Sequence, residues 1–231
     1  MKILTVSDEE SPYLWAENAA AKLKDYDLIL SCGDLKADYL SFLVTVAKCP
    51  VLYVHGNHDG NYQRRPPEGC DCIEDKLVIY HGVRILGLGG SMRYRPGPHQ
   101  YTERQMHRRI RKLRLALWRA GGVDIVVTHA PPRDIGDAQD PAHRGFEAFR
   151  ALLDRYKPQY LLHGHVHLSY GADPTRLRQY GDTTVINTSN RYVLEIPDRE
   201  VKPREINRLI WRNGAPKLPE DHAPVHIHMD Q

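Results

Sequence analysis

The sequence predicts an α/β fold built largely on parallel strands, and three observations carry that expectation. Short apolar, β-branched runs alternate with stretches whose apolar residues recur at helical spacing, the pattern of βαβ units. The runs break into polar, chemically able side chains, as at Cys32-Gly33-Asp34 and Gly56-Asn57-His58-Asp59. Right-handed crossovers bring such strand ends to one edge of the sheet, where open α/β folds place their sites.

Lys2–Val6 is the first strand and runs into Ser7-Asp8-Glu9-Glu10-Ser11. Ser11-Pro12 fits the N-cap and first position of a helix reaching about Lys24, with Leu14, Ala19 and Leu23 among its apolar residues. Leu28–Ser31 is the second strand, and a helix with Tyr39, Leu40, Leu43, Val44 and Ala47 at helical spacing follows it. Val51–Val54 is the third. Beyond the loop Arg64-Arg65-Pro66-Pro67, Leu77–Tyr80 and Val83–Leu88 pair around a tight turn at His81-Gly82. Gly89-Gly90 and Arg93-Tyr94-Arg95-Pro96-Gly97-Pro98 make a basic, glycine-rich loop.

Thr102 and Gln105 form a capping box that opens a helix to about Trp118. Its apolar stripe is Met106, Ile110, Leu113 and Leu117, and Arg104, Arg108, Arg111 and Lys112 fall outside it. Gly121-Gly122 ends it. Val123–Val127 is another strand, ending in Thr128-His129; a polar loop over Arg133–Arg144 leads to a helix from about Phe146 to Tyr156. Tyr160–Leu162 ends in His163-Gly164-His165-Val166-His167, and Val185–Thr188 with Tyr192–Ile196 reads as a closing hairpin.

A chain of 231 residues supports one large domain over 1–231, its residues 196–231 forming a proline- and charge-rich C-terminal extension packed on it, with a short strand at Ile206–Trp211. No apolar run reaches the roughly 20 residues of a membrane helix, and the first apolar run is too short for a signal peptide. Cys32, Cys49, Cys70 and Cys72 have no framework spacing, and Cys70-Asp71-Cys72 lacks a second pair for zinc. They are expected as reduced thiols in a cytoplasmic protein. A net charge of +3 suits an anionic substrate and falls short of a nucleic-acid footprint.

Five strand ends carry Asp8 with Glu10, Asp34, Asn57 with His58, His129, and His165 with His167. Carboxylate, imidazole and amide oxygen together suit hard and borderline divalent ions. Two such ions sharing a carboxylate can activate water for in-line attack on phosphorus. Gly33-Asp34, Gly56-Asn57-His58-Asp59, His129 and Gly164-His165-Val166-His167 occur in the order and spacing of the calcineurin-like metallophosphoesterases, which the first 190 or so residues resemble. The resemblance implies a four-layer sandwich of two mixed β-sheets flanked by helices. It also implies two divalent ions, manganese foremost, with iron, zinc or magnesium as alternatives.

On that likeness Asp34 bridges both ions, Asn57, His129 and His165 complete one site, and Asp8 and His167 serve the other. His58 binds phosphate and protonates the leaving group, while Asp59 and His163 support the ligands from outside. The implied reaction is hydrolysis of a phosphomonoester or phosphodiester by a metal-activated hydroxide, the substrate being a small molecule or nucleotide. One position departs. The family has histidine two residues after the first aspartate, and Glu10 stands there in this chain, expected as a hard-metal ligand.

Arg93, Tyr94, His99 and Tyr101 are candidates for a substrate pocket, and His143 and Arg144 for phosphate contact. The Arg104–Arg114 face raises a nuclease as an alternative, although nucleic acid is not the favoured partner, and Glu10 raises a non-catalytic scaffold. His222, His226 and His228 read as incidental.

Overall fold

The computed structural model describes residues 1–168 and 175–197. The strand expected at Ile206–Trp211, the histidines His222, His226 and His228 and the rest of the C-terminal extension beyond Pro197 lie outside them. Strands and helices are numbered in chain order.

Strands that are apolar on both faces need cover on both sides. β2 (Leu28–Ser31) sends Leu28 and Leu30 into one core and Ile29 into another, and β9 (Ile125–Thr128) divides Ile125 and Val127 from Val126 in the same way. Burying a side chain of this kind contributes roughly 1.5–3 kcal/mol. The result is two stacked sheets. The first comprises β1 (Lys2–Ser7), β2, β3 (Val51–Tyr53), β4 (Asp71–Cys72) and β13 (Asn190–Glu195) in the order β13-β1-β2-β3-β4, with β13 antiparallel to β1. The second comprises β5 (Lys76–Tyr80), β6 (Val83–Leu88), β9, β10 (Tyr160–His163), β11 (Leu177–Tyr180) and β12 (Thr183–Asn187). Its order is β11-β12-β10-β9-β6-β5, parallel at the centre and antiparallel at both edges. β7 (Ser91–Met92) and β8 (Gln100–Tyr101) form a separate small pair.

One core lies between the sheets. A second joins the outer face of the first sheet to α1 (Pro12–Trp15), α2 (Ala19–Leu23) and α3 (Ala37–Ala47). A third joins the second sheet to α4 (Glu103–Lys112), α5 (Arg114–Arg119) and α6 (Glu147–Tyr156). Helix, sheet, sheet and helix are the four layers expected. Among the described residues, no helix is long and apolar enough to cross a membrane.

Local signals were mostly obeyed. His81 and Gly82 both have positive φ, the requirement of a type I′ hairpin. Gln105 N donates to Thr102 Oγ1 at 3.3 Å and Thr102 N to Gln105 Oε1 at 2.8 Å, completing the capping box.

The departures have physical causes. The helix expected over Ser11–Lys24 is two short helices, because Ala16 is extended and Asn18 adopts a left-handed conformation, which asparagine tolerates. The helix to Trp118 divides at Leu113 into α4 and α5. Most consequentially, the two last strands are not a hairpin. β12 pairs with β10 and β13 with β1, so the chain crosses between sheets at Thr188-Ser189. Ser7 Oγ and Thr188 Oγ1, 3.0 Å apart, mark that crossing from both sides.

Arg104, Arg108, Arg111 and Lys112 are exposed as expected, while Arg109 turns inward. Its Nη2 lies 2.8 Å from Glu74 Oε1, its Nε 2.8 Å from Asp75 Oδ1, and its Nη1 donates to Gly89 O at 2.7 Å. Glu74 Oε2 in turn meets His55 Nδ1 at 2.5 Å, and Tyr101 OH donates to Oε1 at 3.2 Å. Burial alone would raise the Glu74 carboxyl, but His55 and Arg109 outweigh it and bring it down to about 2. A carboxyl lowered on folding stabilises the protein above its unfolded value of about 4.5, and that contribution drains away as pH falls toward 2. Glu74→Gln should therefore cost about 2 kcal/mol near neutrality. Urea unfolding should lose less stability between pH 5 and pH 2.5 in this variant than in the parent.

Candidate metal centre

Five strand ends reach one edge of the sandwich: β1 with Asp8, β2 with Asp34, β3 with Asn57 and His58, β9 with His129 and β10 with His165. Asp8, Asp34 and His165 all have positive φ, a strained conformation for residues with a side chain and one that clusters at functional sites. Surrounding hydrogen bonds hold it. Asp59 Oδ2 accepts from Gly56 N at 2.7 Å and from Asp34 N at 2.9 Å, and Asp34 Oδ1 accepts from His58 N at 2.7 Å. His165 N donates to Asp8 Oδ1 at 2.8 Å. Glycine is needed at 56, where a Cβ would collide with the Asp34 carboxylate, and at 164, where it would stand 2.5 Å from Asp8 Oδ2.

Asp34, His129 and His165 each offer a ligand atom, all within 4.8 Å of one another. His129 Nε2 lies 3.3 Å from Asp34 Oδ2 and 3.1 Å from Asn57 Oδ1. Neighbouring ligands of an octahedral ion with bonds of about 2.1 Å sit about 3 Å apart, so this spacing is that of a coordination shell. The outer nitrogens fit as well: His129 Nδ1 donates to Cys32 O at 2.8 Å and His165 Nε2 to Ala142 O at 2.7 Å. Such hydrogen bonds set the tautomer of metal-binding histidines. Among the described residues, two buried atoms at this edge, Asp8 Oδ2 and Asn57 Nδ2, have no hydrogen-bond partner.

The electrostatics agree. Burial would raise Asp34, but the adjacent His129 holds it well below the usual carboxylate range. Burial would lower His129, yet Asp34 pushes it up to about 9. A divalent ion can replace the proton that this pair shares. Burial and the charge of His129 take His165 down to about 3, the neutral form a ligand needs. Burial raises Asp8. The donor set, its spacing and its charge fit a divalent ion.

The remaining candidates occupy distinct places. His58 is exposed, with Nε2 4.0 Å from Asp34 Oδ2. His163 is buried behind the ligands, donates Nδ1–H to Gly164 O at 2.9 Å, and is taken down to about 4 by burial. The His143 ring lies 5.2 Å from that of His165, on a loop pinned by Gly145 N donating to Asp137 Oδ2 at 2.9 Å; Arg144 beside it is exposed. His167 Nδ1 meets Glu9 Oε1 at 2.9 Å. Glu10 Oε2 accepts from Trp15 Nε1 at 2.9 Å, and its Oε1 is 3.3 Å from Lys36 Nζ. Arg93 Nη2 donates to Gln100 O and Gln105 Oε1, bracing the start of α4.

Sequence reasoning missed His55 and Glu74 and read His99 only as a substrate-pocket candidate; ligand atoms of these three also lie within 4.8 Å of one another. An ion must sit near the plane of each imidazole that binds it. The His55 and His99 rings instead stack with centroids 4.2 Å apart at 5°, so their planes are parallel and share no such point. Burial would lower His55, but the Cys72 sulfur and the Glu74 carboxylate push it up to about 10. This group is an ion-pair strut on the residue just before Gly56.

Comparison with known proteins accords with this geometry. The family model for calcineurin-like phosphoesterase matches residues 7–169. One solved structure aligns with a TM-score of 0.61 at 14% identity, covering 84% of this chain and 94% of its own. TT1561 of Thermus thermophilus aligns with a TM-score of 0.56 at 16% identity, covering 82% and 89%. At such identities these two alignments speak for the fold. No curated protein is significantly similar in sequence. Because the family model spans every strand end from Asp8 to His167, the chain belongs to the calcineurin-like phosphoesterase family.

Proposed function

We propose that this protein is a dinuclear metal-dependent phosphoesterase acting on a phosphomonoester or phosphodiester, a small molecule or nucleotide. The observation that carries the reading is the Asp34–His129–Asn57 group, with ligand-like spacing and an unpartnered buried Asp8 oxygen beside it. Asn57, His129 and His165 with Asp34 would hold one ion, and Asp8 and His167 with Asp34 the other. When bound, the ions supply an activated water and Lewis-acid neutralisation of charge on the phosphate oxygens. Manganese suits the mixed carboxylate, amide and imidazole donor set, and iron, zinc or magnesium are the alternatives.

The chain's own groups do the rest. His58 has its backbone fixed by Asp34 and its ring exposed at the open side of the group, the arrangement a general acid needs to meet a leaving oxygen. Asp59 holds the turn that carries His58 and Asn57, and His163 backs the ligands. His143 and Arg144 present donors on the loop next to His165, suited to phosphate oxygens.

His58→Ala should retain bound manganese and lose about 10²–10⁴-fold in turnover of an aryl phosphoester. Metal content by mass spectrometry alongside kcat checks this, and unchanged turnover would refute the role. Arg144→Ala should raise KM about tenfold with little change in kcat, as expected for a contact kept equally in ground and transition states. Protein loaded separately with manganese, zinc, iron and magnesium, assayed on monoester, diester and nucleotide panels, would test the substrate class.

A further inference from the structure

We propose that the outer face of α4 and α5 is a docking surface for an anionic lipid bilayer. The inference is independent of the metal reading above.

Between residues 103 and 119 Glu103 is the only acid, and its oxygens accept from Glu147 N at 2.8 Å and Ala148 N at 3.2 Å. Arg109 turns inward to Glu74 and Asp75. Arg104, Arg108, Arg111, Lys112, Arg114 and Arg119 are exposed, and none meets a carboxylate among the described residues. A merely solvated face usually intersperses both signs of charge. This one carries a single sign.

The order of residues along the face says what it suits. At about 100° per residue, Arg104, Arg108, Arg111, Leu115 and Trp118 fall in one stripe roughly 20 Å long, opposite the buried Met106, Leu113 and Leu117. The stripe is cationic at its start and apolar at its end. Leu115 is 55% exposed and Trp118 77%, and neither belongs to the core beneath the helices. Beside them a groove of about 640 Å³, between the ends of α5 and α6, is flanked by Arg114 and Arg155. α5 leads into the start of β9, the end opposite His129, so the apolar tip lies away from the candidate metal centre.

A partner must satisfy both halves of the stripe. A nucleic-acid duplex is anionic along its length; it would meet the cations but set Leu115 and Trp118 against phosphate. A second copy of the chain would bring the same six unpaired cations to the interface again. An anionic bilayer offers what each half needs. Its headgroups attract the arginines, and the apolar layer beneath takes the leucine, with tryptophan at the boundary its amphipathic ring prefers. Electrostatic attraction and buried apolar area together set the strength of such surface binding.

The test is co-sedimentation of the full chain with vesicles of phosphatidylcholine alone and of equal parts phosphatidylcholine and phosphatidylserine, with thermal melts as the folding control. Both lipids carry a phosphodiester, so capture by the candidate metal centre would not separate them. The unaltered protein should bind the mixed vesicles at least about tenfold more tightly, and rising salt should weaken that binding. Joint Arg104→Gln, Arg108→Gln and Arg111→Gln should weaken it about 100-fold. Joint Leu115→Ser and Trp118→Ser should weaken it about tenfold or more. Equal binding to both vesicles, binding to neither, or undiminished binding by either joint variant would overturn the proposal. Binding to a nucleic-acid duplex in place of the mixed vesicles would reassign the face and overturn it, as would a dimer that the Leu115 and Trp118 substitutions dissociate.

Discussion

One carboxylate oxygen, Asp59 Oδ2, holds the centre of this molecule together. By accepting from Gly56 N and Asp34 N it ties the end of β3 to the end of β2 at the point where both strands give way to ligand-bearing turns. Hydrogen bonds to a charged group contribute about 1.5–3 kcal/mol each. A left-handed conformation such as that of Asp34 costs on the order of 1–3 kcal/mol. The two are of similar size, so Asp34, in the candidate ligand group, keeps its strained backbone because a second aspartate, Asp59, offsets it. Burial and the charge of Asp34 push Asp59 up to about 6, the cost of crowding two carboxyls to make that tie.

A second constraint works at right angles to the first. The candidate ligand histidines His129 and His165 follow strands of the second sheet and the carboxylates Asp8 and Asp34 strands of the first, so the candidate site exists only where the two sheets meet. His129 reaches across to Cys32 O on the opposing sheet, and His165 N reaches Asp8 Oδ1. Inter-sheet packing and ligand geometry are therefore one problem. Any change that spreads the sheets also pulls these hydrogen bonds, and with them the ring orientations.

Much of this was legible in the residues. Strands buried on both faces leave unbroken apolar runs, and the residues that follow each run are local facts, so Asp8, Asp34, Asn57, His129 and His165 could be assigned to one edge from pattern alone. What stayed hidden depends on partners distant in sequence. Arg109 sits in a run of cations with nothing local to mark it, and its inward turn is decided by Glu74 and Asp75 across the fold. Glu10 was marked by its place two residues after Asp8, but its contacts with Trp15 and Lys36 come from other elements and have no local signal. β11 escaped because its Leu177-Arg178-Gln179-Tyr180 is a half-exposed edge strand without an apolar run. The last two strands looked like a hairpin because short spacing between apolar runs is the hairpin signal, and pattern does not say that two sheets compete for them.

That crossing at Thr188-Ser189 has a bearing on how the chain is made. β1 lies between β2 and β13, so one side of it waits for a strand synthesised after all the other strands described. Until then its unpaired backbone groups are an open edge, the kind of surface that invites pairing with another chain. Contacts of such long sequence separation form late because the intervening loop must close first. Asp8 and His165, 157 residues apart, are joined across the same seam. A partly synthesised chain would thus have an exposed edge and no complete site, and both conditions would end when β13 docks.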